Sequence, residues 1–189
     1  LVTGTPGVGK TSVSIKLASK LNAHYLGIND IFRKKKFFFN IDKERNTLIA
    51  DTEKISNHLK NILKKLKGPI ILEGHYVFDV VSKEDVNAVF VLRRDPRELK
   101  RVFEMRGYTE KKIWENLGAE ILDVCLCDSL NVYDKDRVCE IDVTGKDVET
   151  VVKEILLLLE RKQGFRIGNI DWLEMLENLG QLDDFLKKI

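Results

Sequence analysis

Residues 4–11 read Gly-Thr-Pro-Gly-Val-Gly-Lys-Thr, and no other stretch restricts what this chain can fold into so tightly. They fit the pattern G-x-x-x-x-G-K-[ST] of a phosphate-binding loop. The glycines let the backbone wrap an anion with its N–H groups turned inward. Lys10 offers a point charge for the β- and γ-phosphates, and the Thr11 hydroxyl is placed to ligand a phosphate-bound Mg²⁺. The flanks agree with the motif. Leu1 and Val2 read as the end of a buried strand, while Val13, Ile15, Leu17, Ala18 and Leu21 suit a helix packed on a sheet. The N-terminus of that helix adds a dipole favourable to phosphate. A glycine-rich turn that binds nothing would not need this strand-loop-helix context, so a bound nucleoside triphosphate is the expectation.

Strand-like and helix-like stretches alternate along the rest of the chain, which predicts an α/β fold with a five-stranded parallel sheet. The strands fall at Leu1–Val2, His24–Ile28, Pro69–Glu73, Ala88–Arg93 and Val138–Val143. Several are nearly continuous apolar runs, as strands covered on both faces must be. Ile55, Leu59, Ile62, Leu63 and Leu66 mark one amphipathic helix; Val148, Val151, Val152, Ile155, Leu156 and Leu159 mark another. Pro96 suits the first turn of a helix carrying Leu99, Val102 and Phe103. A further helix is expected to run from Ile113 through Trp114, Leu117, Ile121 and Val124 to Cys125, with Asn116 and Glu120 as polar positions. Ligands of such sheets collect at the carboxyl ends of the strands.

Candidate site residues follow from that placement. The second strand leads into Asn29, Asp30 and Arg33, and Arg33 can grip a second substrate's phosphate with two parallel N–H groups. Next come Lys34–Lys36, readable as a solvated face, and Phe37–Phe39, which cannot all point inward from one helix. The third strand ends in Glu73-Gly74-His75. An acid there commonly holds Mg²⁺, directly or through water. His75 is a candidate for positioning a nucleophilic water or contacting a phosphate; a histidine merely bonded to a neighbouring carbonyl is the alternative. Arg106-Gly107-Tyr108, with Gly107 as a helix stop and Thr109 as an N-cap, forms a basic hinge suited to closing over phosphates. After the fifth strand, Thr144–Asp147 makes a turn at the same edge, placed to accept a base beside the Lys146 stem.

The chain has 189 residues, of which 33% are charged, with a net charge of only +2. That is enough for one domain with a sizeable core, and it gives no strong evidence for direct nucleic-acid binding. There is no apolar run long enough for a membrane span and no signal-peptide pattern. Leu1 already lies in a strand, so a few residues are expected to precede it. Cys125, Cys127 and Cys139 are odd in number and lack metal-ligand spacing, which implies reduced thiols in a cytoplasmic setting.

Taken together, Gly4–Thr11, Asp30-x-x-Arg33, Glu73-Gly74-His75, Arg106-Gly107-Tyr108 and the helix of Asn116 and Glu120 resemble the adenylate kinase isoenzyme six family, in a prokaryotic, archaeal-like form. This family is also known as the coilin-interacting nuclear ATPase and as a small-subunit ribosome maturation factor. The resemblance covers about residues 1–160. It implies a nucleoside monophosphate kinase fold in a single domain spanning 1–189, with a monophosphate-binding arm at about 29–66 and a short lid at about 104–114. Gly7, Gly9, Lys10, Thr11 and Ser12 would hold ATP phosphates. Asp30 and Arg33 would meet AMP, Arg106 would reach ATP from the lid, and Lys146 would lie near the base. Lys10, Arg106 and His75 would be catalytic, with Thr11 and Glu73 on Mg²⁺. The family is described as having adenylate kinase and ATPase activities, and as binding a small-subunit ribosomal protein on pre-ribosomal particles during ribosomal RNA processing. Two departures stand out: the family usually has Asp-x-His where this chain has Glu73-Gly74-His75, and Asn29 stands where adenylate kinases often carry Gly. The tail at about 164–189 lies beyond the resemblance and reads as two short amphipathic pieces expected to pack back onto the core, with docking of a partner as the alternative.

The functional expectation is Mg²⁺-dependent phosphoryl transfer from ATP to AMP, with ATP hydrolysis when water takes the acceptor's place. Another small-molecule kinase, such as a shikimate or dephospho-coenzyme A kinase, shares the loop and architecture. The Asp30 and Arg33 spacing and the Arg106-Gly107-Tyr108 hinge count against it. An ATP-driven ribosome assembly factor with vestigial kinase activity is the alternative of a different class.

Overall fold

The computed structural model describes residues 1–35, 38–42, 47–74, 80–161 and 165–188. At its centre lies β1 (Val2–Gly4), flanked by β5 (Ile70–Glu73) and β6 (Val89–Arg93), with β2 (His24–Gly27) and β7 (Val138–Asp142) outside them. All neighbouring pairs in this five-stranded sheet are parallel. The chain therefore returns by crossover connections between the strands, and α-helices cover both faces of the sheet. The centre of β6 shows how. Phe90 and Leu92 join one apolar cluster with Val13 and Leu17 of α1 (Lys10–Leu21) and Val152 and Ile155 of α7 (Val148–Arg161). Val89 and Val91, on the opposite face, join Ile55 and Leu59 of α3 (Thr52–Leu63) and Leu126 of α6 (Val124–Val132). Successive strand residues point to opposite faces, so an uninterrupted apolar run is what two covered faces require.

Three local expectations are revised. Ile15 is 51% exposed rather than packed on the sheet, because it sits about half a turn away from the buried Val13 and Leu17. The chain around the phenylalanine run is not helical: β3 (Phe38–Asp42) pairs antiparallel with β4 (Thr47–Ala50) in a separate two-stranded sheet. Aromatic and β-branched residues favour that pairing, and Phe37 lies outside the described residues. Finally, the helix expected to run through Cys125 is two helices. After α5 (Glu110–Ile121) the chain turns at Asp123, whose φ of 57° is left-handed, before α6 begins.

The reason for that break is Arg93, at the end of β6 and only 1% exposed. Its Nε donates to Glu120 Oε1 at 2.9 Å and one terminal nitrogen to Glu140 Oε1 at 2.5 Å. The other terminal nitrogen donates to the Glu120 carbonyl at 2.9 Å and to the Asp123 carboxylate. Glu120 also accepts from Trp172 Nε1 at 3.0 Å, and Glu140 from the Gly168 N–H. The cluster thereby ties β6, β7 and the α5–α6 corner to the last segment of the chain. That segment forms α8 (Trp172–Asn178) and α9 (Leu182–Leu186), burying Trp172, Leu176 and Phe185. Replacing Arg93 by Met leaves buried carboxylates unpaired, so Arg93→Met is expected to cost about 3–5 kcal/mol of stability. Urea denaturation followed by tryptophan fluorescence measures it, and a loss below about 1 kcal/mol would show the cluster to be dispensable.

Candidate functional site

The chain leaves β1 at the carboxyl edge of the sheet, makes the loop, and enters α1 at Lys10. No side chain caps α1 and no acid lies in its first turn, so its first N–H groups are left for a ligand. An anion at that end would also meet the favourable end of the helix dipole. The loop is wedged against α4 (Pro96–Met105), whose start is fixed by Pro96 in its first turn and by Asp95 accepting from Arg97 N at 2.8 Å. Gly7 has a φ of +92°, and a Cβ there would stand 2.9 Å from Leu99 Cδ1 and 3.0 Å from Phe103 Cε1. Only glycine satisfies both the conformation and the close approach.

Lys10 is buried, and its Nζ donates to the loop's own carbonyls, Gly4 O at 2.8 Å and Thr5 O at 3.0 Å. An ammonium has three donors, so these two bonds set the loop's curvature and leave one for a ligand oxygen. Burial lowers the Lys10 pKa, while negative charge at neighbouring groups including Glu73 opposes that shift. An incoming anion would oppose it further. Glu73, at the end of β5 and 5% exposed, stands across from Thr11, with Thr11 Oγ1 3.4 Å from Glu73 Oε2. The same Oε2 accepts from the Tyr25 hydroxyl at 3.0 Å. Beneath the loop, burial pushes the Cys125 thiol up to about 11, so it stays protonated at neutral pH.

Lys10, Thr11 and Glu73 line one cleft of about 570 Å³. The loop and α1 contribute Gly7, Gly9, Lys10, Thr11 and Ser12; β5 contributes Glu73; and Arg106 enters from the turn after α4. Gly107, with a φ of +67°, ends α4, and the Thr109 side chain caps α5 by accepting from Lys112 N at 3.4 Å. Tyr108 lines the cleft between them, its ring stacked on Phe103 at 5.3 Å, with Lys112 Nζ 4.5 Å from its centroid.

Three other expected residues, Asp30, Arg33 and Lys146, do not line this cleft. Asp30 and Arg33 are exposed on α2 (Ile28–Lys35) and do not line it, although their neighbour Asn29 does. Lys146 lies in the turn after β7, its Nζ paired with Glu154 at 2.8 Å. His75 lies outside the described residues. Lys112 from the expected lid and Asn116 from the helix of the resemblance form one wall of the cleft together with Ala119, for which no role was expected. Their spacing was a usable signal, since positions four and seven apart share a helix face, and Thr109 marks where that helix starts.

A parallel sheet of this strand order with a phosphate-binding loop after its central strand defines the P-loop kinase fold. A shikimate kinase from Bacteroides thetaiotaomicron superposes with a TM-score of 0.58, covering 84% of this chain and 96% of that one at 19% identity. A gluconokinase from Sinorhizobium meliloti 1021 gives a TM-score of 0.53, covering 85% and 90% at 17% identity. In sequence, a family model described as an AAA domain matches residues 1–123. A Methanocaldococcus jannaschii protein named "Putative adenylate kinase" is 40% identical over 173 residues, covering 92% of each chain. A Pyrococcus furiosus protein of the same name is 34% identical, covering 94% of this chain and 93% of its own. The chain belongs to this AAA-domain family and to the family of these archaeal proteins.

Gly7→Ala places a side chain in a left-handed conformation against Leu99 and Phe103, and is expected to cost about 1–3 kcal/mol of stability. Thermal or urea unfolding reads the loss, and unchanged stability would mean that the loop can move away from α4.

Proposed function

We propose that the chain is a nucleoside monophosphate kinase of the adenylate kinase type, transferring the γ-phosphoryl group of ATP to AMP to give two ADP. The carrying observation is the convergence of Gly7, Gly9, Lys10, Thr11, Ser12, Glu73 and Arg106 on one cleft at an uncapped helix N-terminus. The name carried by the archaeal relatives supports AMP as the acceptor. In this reading the loop amides and Lys10 cradle the β- and γ-phosphates, and Ser12 adds a hydroxyl at the first turn of α1. Arg106 reaches over from the α4–α5 turn, the lid, and adds positive charge against the oxygens that gain negative charge during transfer. Because AMP itself attacks, the protein's task is alignment and exclusion of water, and no covalent nucleophile is required.

Thr11 and Glu73 suit Mg²⁺: they are hard oxygen donors standing 3.4 Å apart at the cleft. Magnesium takes few protein ligands and completes its shell with phosphate oxygens and water. When bound, it neutralises phosphate charge; Thr11 and Glu73 would hold it, Glu73 directly or through water.

Asp30 and Arg33 belong to the acceptor side in this reading. The arm at about 29–66 would then swing in when AMP binds, carrying the guanidinium from its exposed position on α2 to the phosphate. Lys146 contributes its stem beside the base, since its ammonium is engaged by Glu154. His75 assists hydrolysis when water replaces AMP. The small-subunit ribosomal partner implied by the resemblance rests on that resemblance and draws no support from the cleft. Three thiols without metal-ligand spacing support a reducing, cytoplasmic setting.

The deciding assay follows ADP and phosphate release from Mg·ATP, with and without AMP and a panel of other monophosphates. Two ADP per ATP consumed, only with AMP, is the expected result. Phosphate release indifferent to AMP would overturn the kinase reading in favour of an ATP-driven assembly factor. Lys10→Ala should lower transfer about 10²-fold or more. Arg33→Ala should raise KM for AMP while leaving ATP hydrolysis nearly unchanged; equal losses in both would remove Arg33 from the acceptor site.

A further inference from the structure

Tyr25 does not line the cleft, yet its hydroxyl is committed to the cleft's acid. It donates to Glu73 Oε2 at 3.0 Å, the same oxygen that stands 3.4 Å from Thr11 Oγ1. The geometry depends on a missing side chain. In the β2–β5 register Gly27 lies opposite Glu73, and Tyr25, two residues earlier, shares the face of Gly27. The Tyr25 ring can therefore reach along the strand to Glu73 only across the position of Gly27. A Cβ built on Gly27 would stand 2.8 Å from the Tyr25 hydroxyl oxygen and 3.1 Å from Asp30 Oδ2. Gly27 has no left-handed φ, so its backbone conformation does not by itself call for glycine. The space it leaves is filled by the phenol.

We propose that Tyr25 and Gly27 form a positioning pair that orients the Glu73 carboxylate for a divalent cation bound with nucleotide, so that Tyr25 acts on metal affinity through Glu73 without touching substrate. The proposal rests on the reading of the cleft as a metal·nucleotide site. A carboxylate at the end of a strand rotates about its own side-chain torsions. Two hydroxyls on Oε2 fix that rotation and leave Oε1 as the oxygen they do not use. Once the Thr11 oxygen turns to a cation, the Tyr25 hydroxyl is, among the described residues, the donor that still holds Glu73. Outer-shell partners of this kind typically contribute 10- to 100-fold in metal affinity.

The test uses Mn²⁺ as the probe, with the free ion followed by electron paramagnetic resonance in titrations of the whole protein with a non-hydrolysable ATP analogue. Tyr25→Phe keeps the ring and removes the hydroxyl; Gly27→Ala keeps the hydroxyl and pushes it off Glu73. Both should bind Mn²⁺ about tenfold more weakly than the wild-type protein. At limiting Mg²⁺ their transfer rate should fall and recover at saturating Mg²⁺, with KM for AMP within twofold of wild type. Circular dichroism melting confirms that each variant is folded at the assay temperature. Mn²⁺ affinity within twofold of wild type for both folded variants overturns the proposal. So does a rise in KM for AMP with Mn²⁺ affinity unchanged, which would put the Tyr25 hydroxyl on the acceptor. A wild-type protein that binds no Mn·nucleotide overturns both this inference and the reading beneath it. Failure to phosphorylate AMP would overturn the acceptor assignment alone, because the Mn²⁺ titration reads the cleft without it.

Discussion

A guanidinium cannot be taken out of water unless nearly all its N–H groups find acceptors, and Arg93 shows how much structure that requirement organises. The acceptors that surround it come from the end of α5, the corner before α6 and the middle of β7. Burial would lower its pKa, and the carboxylates of Glu120, Asp123 and Glu140 outweigh that effect, so the charge is retained. The acids bear a cost in turn: burial raises the pKa values of Asp123 and Glu140 despite the nearby cation. With three carboxylates around one guanidinium, the remaining lone pairs need donors, and the Gly168 N–H, the Trp172 indole and the Arg94 N–H provide them. The last segment of the chain is thereby a structural part of the fold.

That anchorage bears on the cleft through α5. One face of this helix, at Lys112, Asn116 and Ala119, forms a wall of the cleft. Trp114 faces the tail instead, meeting Phe185 edge-on with ring centroids 5.7 Å apart, with Lys188 over the same indole at 5.0 Å. The wall is thus clamped from behind, on the far side from the turn at Arg106 and Tyr108 that lines the same cleft. The loop is braced in the same manner, since Leu99 and Phe103 occupy the space beside Gly7 and Phe103 also carries the Tyr108 ring. One helix thus supports both the phosphate-binding loop and the residue that faces it.

Much of this was legible in the chain. The apolar runs Ile70–Leu72 and Ala88–Leu92 are long enough for strands and too short for helices, and their lack of alternation implies helices on both sides. Gly107 and Thr109 mark the α4–α5 turn because a stop and a cap are local events, decided by backbone conformation and a side chain three residues away. The break at Asp123 could not be read in that way. Ile121-Leu122-Asp123-Val124 contains neither glycine nor proline, and only a guanidinium 30 positions away explains why the chain turns there. Tyr25 was equally silent, since a tyrosine in an edge strand looks like any β-forming residue until its partner strand is known.

By itself, then, the sequence determined the phosphate-binding loop, the alternation of strands and helices and the acid at the end of β5, because each is written in contiguous residues whose chemistry acts over a few ångströms along the chain. Tertiary structure alone decided which polar residues are buried and what they hold. Arg93 and Arg94 are adjacent and chemically identical, yet one is a buried hub and the other a half-buried partner of Glu98. The difference comes from the side of the sheet on which each falls and from the acids that other elements bring there.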